Sequence, residues 1–156
     1  MTSSSVFEPE FVAQLGAMFE ERISFNRLLG LHVTALEADR VRGRLDMRPE
    51  LIGHFAHQRL HGGVISATLD AMGGLAVMAA IGARHLDEPA EARLTRFGKL
   101  GTIDLRVDYL RPAIGPWFSA TATVLRLGSR VASTRMEFFD SQQKLLSTGA
   151  AAYIVA

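Results

Sequence analysis

The chain has 156 residues, 48% hydrophobic and 21% charged, with a formal net charge of +1. That size and balance describe one globular domain with a substantial core, and near-neutrality gives no support to nucleic-acid binding. Cysteine is absent, which excludes disulfides, a thiol nucleophile and thiolate metal sites.

The opening stretch MTSSSVFEPE lacks a basic region followed by an apolar run, so no signal peptide is expected and a cytoplasmic location is the default. Residues 8–29 carry helical periodicity: Phe11, Leu15, Met18 or Phe19, and Ile23 recur at three- and four-residue spacing. Pro9 suits the first turn and Gly30 the stop. Residues 1–30 therefore read as a covering helical segment of the domain formed by residues 31–156. Near its end, core packing is expected of Phe25, Leu28 and Leu29, with pocket lining as the alternative.

Residues 32–48 alternate, with Val41, Gly43, Leu45 and Met47 on one face and Arg40, Arg42, Arg44, Asp46 and Arg48 on the other. Period two predicts a half-buried strand paired with the shorter segment 32–37. The arginine stripe reads as a solvated face that discourages edge-to-edge association, with contact to phosphates as the alternative. Residues 49–60 read as a loop that carries His54, His57 and Gln58 ahead of His61. These side chains invite a metal reading, but the carboxylate and spacing of a zinc motif are missing, and no metal site is assigned.

Residues 59–83, RLHGGVISATLDAMGGLAVMAAIGA, organise the rest. After Arg59 and His61 the stretch holds one charged residue, Asp70. A helix apolar on every side belongs in a membrane or in a protein core. The amphipathic strands around it need a core, and a central carboxylate disfavours insertion, so a wrapped, soluble helix is expected. Gly62-Gly63 lies at its start, where free N–H groups and the positive dipole end suit an anion or a developing oxyanion. Asp70 stands eight residues further on, about 12 Å along a helix. It cannot easily serve the carbonyl that Gly62 of its own chain would polarise. Two such helices about a two-fold axis would bring Gly62 of one chain near Asp70 of the other. Gly73-Gly74, in mid-helix, implies close approach of another backbone or room for a substrate.

Residues 83–101 read as a long polar loop with Arg84, Arg93, Arg96 and Lys99, either a phosphate contact or plain solvent loop. Strands are expected at residues 102–109, 117–127, 130–140 and 145–155, joined by Gly and Pro turns into an antiparallel meander. In the first of these, alternation sets Ile103, Leu105, Val107 and Tyr109 against Thr102, Asp104, Arg106 and Asp108.

The string HGGVISATLDAMGGL resembles the HGG signature of hot-dog-fold acyl-CoA thioesterases, in the branch of the phenylacetate-pathway and 4-hydroxybenzoyl-CoA enzymes. TIDLRVDYLRPA resembles that family's strand after the helix, and LGSRVASTRMEFFD its later hairpin. The resemblance implies an α+β hot-dog fold: a long central helix wrapped by a five- or six-stranded antiparallel sheet, preceded here by the N-terminal helix.

It also implies hydrolysis of an acyl-CoA thioester, with CoA arriving as part of the substrate and no separate cofactor. Asp70 is expected to act as base or nucleophile, and the Gly62 or Gly63 amide as oxyanion donor, across a homodimer that could pair again into a dimer of dimers. His61 is expected to orient the turn, Thr102 to position water, and Ser129 and Arg130 to meet the pantetheine or nucleotide. The family's upstream Asn or Gln has no simple match: six residues before His61 stands Phe55, leaving His54 or Gln58 as substitutes. Phe25, Phe55, Met72 and Leu75 are candidates for shaping an acyl pocket. A non-catalytic acyl-CoA- or lipid-binding hot-dog module is the alternative, against which Asp70 argues.

Overall fold

A computed structural model describes residues 5–156; residues 1–4, part of the opening stretch in which no signal peptide is expected, lie outside the described residues. The N-terminal segment is not one helix. Helix α1 (Pro9–Ala17) runs into a π-helical turn (Met18–Arg22), breaks at Ile23, and resumes as α2 (Ser24–Leu29). Periodicity placed Phe11, Leu15 and Phe19 correctly in the core, but two polar contacts that a straight helix does not make divide it. Glu20 Oε1 accepts the Val33 N–H at 2.6 Å, and buried Asn26 donates to the Phe19 carbonyl at 3.1 Å. Gly30 then stops α2 in the left-handed region, at φ 75°. Arg48, expected on the solvated arginine face, instead donates to the Leu28 and Leu29 carbonyls, a cation at a helix C-terminus.

One six-stranded antiparallel sheet follows. It is built from β1 (Leu31–Leu36), β2 (Arg40–Asp46), β5 (Gly101–Tyr109), β6 (Trp117–Leu127), β7 (Val131–Asp140) and β8 (Leu145–Ile154), in the order β1-β2-β6-β7-β8-β5. The expected meander holds for β6, β7 and β8. β5 does not pair with β6: it crosses to the far edge beside β8, where the N–H groups of Leu110 and Arg111 both reach the Leu146 carbonyl. Residues 49–60, expected as a loop, contain two 3-10 turns and a small hairpin, β3 (Ile52–His54) with β4 (Arg59–Leu60).

Helix α3 (Gly62–Ala83) lies across the inner face of the sheet. It is long and apolar enough to cross a membrane, yet most of it is buried inside the protein. The strands facing it present small residues, among them Ala120, Ala122, Ala132 and Ala151, so the helix sits close. At Gly43 a Cβ would stand 2.7 Å from the Met72 sulfur, so glycine at this strand position leaves room for Met72 where it packs. Met72 and Leu75 are fully buried beneath the helix and Phe55 is 83% exposed, so none of the three lines a pocket with Asp70.

Residues 83–101 are ordered as α4 (Ala90–Thr95), with Pro89 at its N-cap, and a 3-10 turn (Arg96–Lys99). Arg93, expected on a polar loop, is 1% exposed. Its guanidinium pairs with Glu8 and lies 4.1 Å over the Phe11 ring, and burial pulls its pKa down. It fastens α4 to α1.

Candidate active site

Asp70 projects from the middle of α3 and is half-buried. Thr102 Oγ1 donates to its Oδ1 at 2.8 Å. Simple alternation along β5 faces Thr102 away from the helix. A β-bulge reverses that: Thr102 pairs with Tyr153 and Asp104 with Ala152, leaving Ile103 as the extra residue. Thr102 thereby shares the inner face with Leu105 and Val107, while Ile103 is turned out and 54% exposed. The N–H of Ala152 is taken by Asp104 Oδ1 at 3.1 Å.

A second hydroxyl, unforeseen from the sequence, reaches the same carboxylate. Tyr153, near the end of β8, donates to the Asp70 carbonyl at 2.8 Å and lies 3.3 Å from Asp70 Oδ1. Burial first, then the Asp70 charge and hydrogen bond, raise the phenol well above the usual tyrosine range, so it remains a donor. Mid-helix Gly73 makes this possible, since a Cβ there would lie 2.2 Å from the Tyr153 oxygen. The neighbour at Gly73 is therefore a side chain, not a backbone, while Gly74 lines the groove, in keeping with the other expectation of room for a substrate. The Gly-Gly pair was itself the available signal: a costly mid-helix glycine marks something pressed against it.

Asp70 and Thr102 open onto a groove of about 330 Å³, walled by Phe19, Ile23 and Phe25 on one side and Ala71, Gly74 and Met78 of α3 on the other. The broken N-terminal segment supplies the first wall. Phe25 is 56% exposed and Leu28 65%, so neither is a core residue, and Leu29 alone of the expected trio is buried.

The start of α3 is a separate place. Gly62 lines another pocket of about 360 Å³ with Arg59, Tyr109 and Arg111. Tyr109 hydroxyl donates to the Gly62 carbonyl at 2.8 Å. His61 caps the helix: its Nδ1 accepts the Gly63 N–H at 2.8 Å, which requires the lone pair on Nδ1. The Gly63 amide is thus engaged. The Gly62 N–H has no acceptor among the described residues, so of the two glycines it is the one whose donor is open.

The other expected site residues do not converge on Asp70. His54 stacks on His57 with ring centroids 4.8 Å apart, and its Nδ1 is buried without a partner among the described residues. Gln58 adopts φ 50° and donates to the Phe55 carbonyl at 2.9 Å. Both sit in the short hairpin whose Gly53 packs under His61. Ser129 lines a third pocket of about 420 Å³ at the opposite end of α3, with Arg84, His85, Arg96 and Lys99. There Arg96 pairs with Glu88, whose carboxylate it holds below the usual range, and Arg84 donates to the Leu127 carbonyl at 2.5 Å. Arg130 is exposed beside this pocket, and its carbonyl accepts the Val155 N–H.

Residues 57–147 match the sequence profile of the thioesterase superfamily. The chain is 37% identical over 153 residues to the medium/long-chain acyl-CoA thioesterase YigI of Escherichia coli K12, covering 97% of this chain and 99% of that protein. A crystal structure of a Shewanella oneidensis protein related to the thioesterase superfamily superposes with a TM-score of 0.88 at 38% identity, covering 98% of this chain and all of that one. The fold alone is shared with a thioesterase from Haemophilus influenzae, with a TM-score of 0.71 at 21% identity over 100% of this chain and 95% of that one. A long central helix against a six-stranded antiparallel sheet, an acid in mid-helix and these full-length matches lead to one conclusion: the chain belongs to the thioesterase superfamily, with its hot-dog fold.

Proposed function

We propose that the protein hydrolyses acyl-CoA thioesters, with medium to long acyl chains as the first class to test, given its likeness to YigI. The observation that carries this reading is the Asp70 carboxylate, held by a threonine hydroxyl at the edge of an apolar groove. Among the described residues no donor reaches Asp70 Oδ2 and no cation pairs with Asp70. That oxygen is free to take a proton from water or to add to a thioester carbonyl. The acyl chain lies in the groove beside Phe25 and Met78, and the carbonyl sits over Asp70.

The oxyanion donor is the Gly62 N–H of a second copy. Within one chain Gly62 and Asp70 lie about 12 Å apart along α3 and open onto different pockets. β5 is an edge strand whose Thr102 end bonds Asp70 and whose Tyr109 end bonds Gly62. Antiparallel pairing of β5 with its twin sets the Thr102 end of one chain against the Tyr109 end of the other. Such an isologous homodimer has two sites, each with Asp70 from one chain and Gly62 from its partner. His61 holds the turn, Thr102 orients Asp70 or its water, and Ser129 with Arg130 meets the CoA moiety. CoA comes with the substrate, no separate cofactor takes part, and the reaction is cytoplasmic.

The test is thiol release from a panel of acyl-CoAs, with sedimentation of the active species. Turnover by a dimer, lost in Asp70→Asn, supports the reading. Acyl-CoA binding without thiol release would instead identify a non-catalytic acyl-CoA-binding module, and a fully active monomer would remove the shared site.

A further inference from the structure

Tyr153 is 2% exposed, and packing alone does not call for its hydroxyl. A phenylalanine would fill the same volume without burying a polar oxygen. The hydroxyl also requires a glycine at position 73, in the middle of a helix, where glycine costs about 1 kcal/mol relative to alanine. An alanine Cβ there would stand 2.2 Å from the phenolic oxygen. Two unfavourable choices, on β8 and on α3, thus serve a single contact.

That contact has a specific form. The Tyr153 oxygen lies between two acceptors of one residue, 2.8 Å from the Asp70 carbonyl and 3.3 Å from Asp70 Oδ1. A donor shared by a residue's own carbonyl and carboxylate fixes the torsion between them. Thr102 approaches the same Oδ1 from the neighbouring strand at 2.8 Å. Oδ1 is therefore held from two strands, and Oδ2 is the oxygen left for chemistry.

Resting on the reading of Asp70 as the reacting group, we propose that Tyr153, seated in the notch at Gly73, is a positioning residue that locks the Asp70 side chain in its reactive orientation. It touches no substrate atom and acts through Asp70. A carboxylate held in one rotamer spends more of its time aligned with the carbonyl, which raises kcat without changing substrate affinity.

The experiment is a kinetic cycle in the full-length protein. Tyr153→Phe is expected to lower kcat about tenfold with KM within about twofold of the wild type, in a protein whose circular dichroism is unchanged. In an Asp70→Asn background, Tyr153→Phe is expected to add less than about a twofold further loss, because residues acting as a unit are not additive. Gly73→Ala is the second variant. It displaces the hydroxyl, keeps the phenol, and is expected to reproduce the kcat loss even if Tyr153→Phe folds poorly. Wild-type kcat in Tyr153→Phe, or an equal loss in both backgrounds, overturns the assignment of Tyr153 while leaving Asp70 in place. Wild-type turnover by Asp70→Asn overturns the underlying reading, and the Tyr153 assignment with it.

Discussion

The two sides of α3 are held by different physics. Toward the sheet, Leu69, Met72 and Ala76 are fully buried in an apolar core with the strand alanines, Met136 and Phe138, interrupted by buried Thr134 beside Met136. Elsewhere the same helix is tied by hydroxyls: Thr102 and Tyr153 at Asp70 beside the groove, and Tyr109 at Gly62 beside the separate pocket at its start. Close packing resists any change of volume and tolerates no unpaired charge. Hydroxyl contacts are replaceable in volume but specific in geometry. One side of the helix therefore sets whether the chain folds, and the other sets what a carboxylate in its middle can do.

Substitutions on each side break this contrast differently. Asp70→Asn has the largest effect: turnover is expected to fall about 10³-fold, while the melting temperature moves by no more than a few degrees. Leu69→Ala does the reverse. It removes a fully buried side chain and is expected to cost about 3 kcal/mol of stability, read by denaturant unfolding, with near-normal kcat per folded molecule. Thr102→Val keeps the shape and deletes one donor to Oδ1; a kcat loss of about tenfold is expected with little change in unfolding.

The smallest effect is seen at alkaline pH. Tyr153 titrates higher when folded than when unfolded, so the native state holds its proton longer. The stabilisation this represents is complete below the unfolded pKa of about 10 and is lost as pH rises above it. At pH 11 the wild type is expected to lose about 1 kcal/mol more than Tyr153→Phe does over the same range, measured by urea unfolding at several pH values. An equal loss in both proteins would place the phenol in solvent and blur the contrast between the two sides.

Which features the sequence disclosed follows the same division. Helix α3 and Asp70 were legible because a single charge in an apolar helix stands out. The strands were legible by alternation. Thr102 was misfaced because alternation assumes an unbroken ladder, and the bulge at Ile103 breaks it. Tyr153 was hidden among the apolar residues of β8, and only Gly73 hinted at a bulky neighbour. Helix α4 was overlooked because its polar composition masked the Pro89 start and the helix-forming run behind it. Glu20 and Asn26 divide the first helix through side-chain bonds to the backbone of Val33 and Phe19, which helical periodicity does not encode.

The inserted residue in β5 has a consequence for how such a chain tolerates change. Deleting Ile103 would remove one greasy, solvent-facing side chain and leave every proposed reacting group in place. The strand would then run as a regular ladder, with Thr102 still opposite Tyr153 and Asp104 still opposite Ala152, so the threonine would keep facing the acid it serves. Loss of that one codon is in this way tolerated by the architecture and by the contact at Asp70 alike.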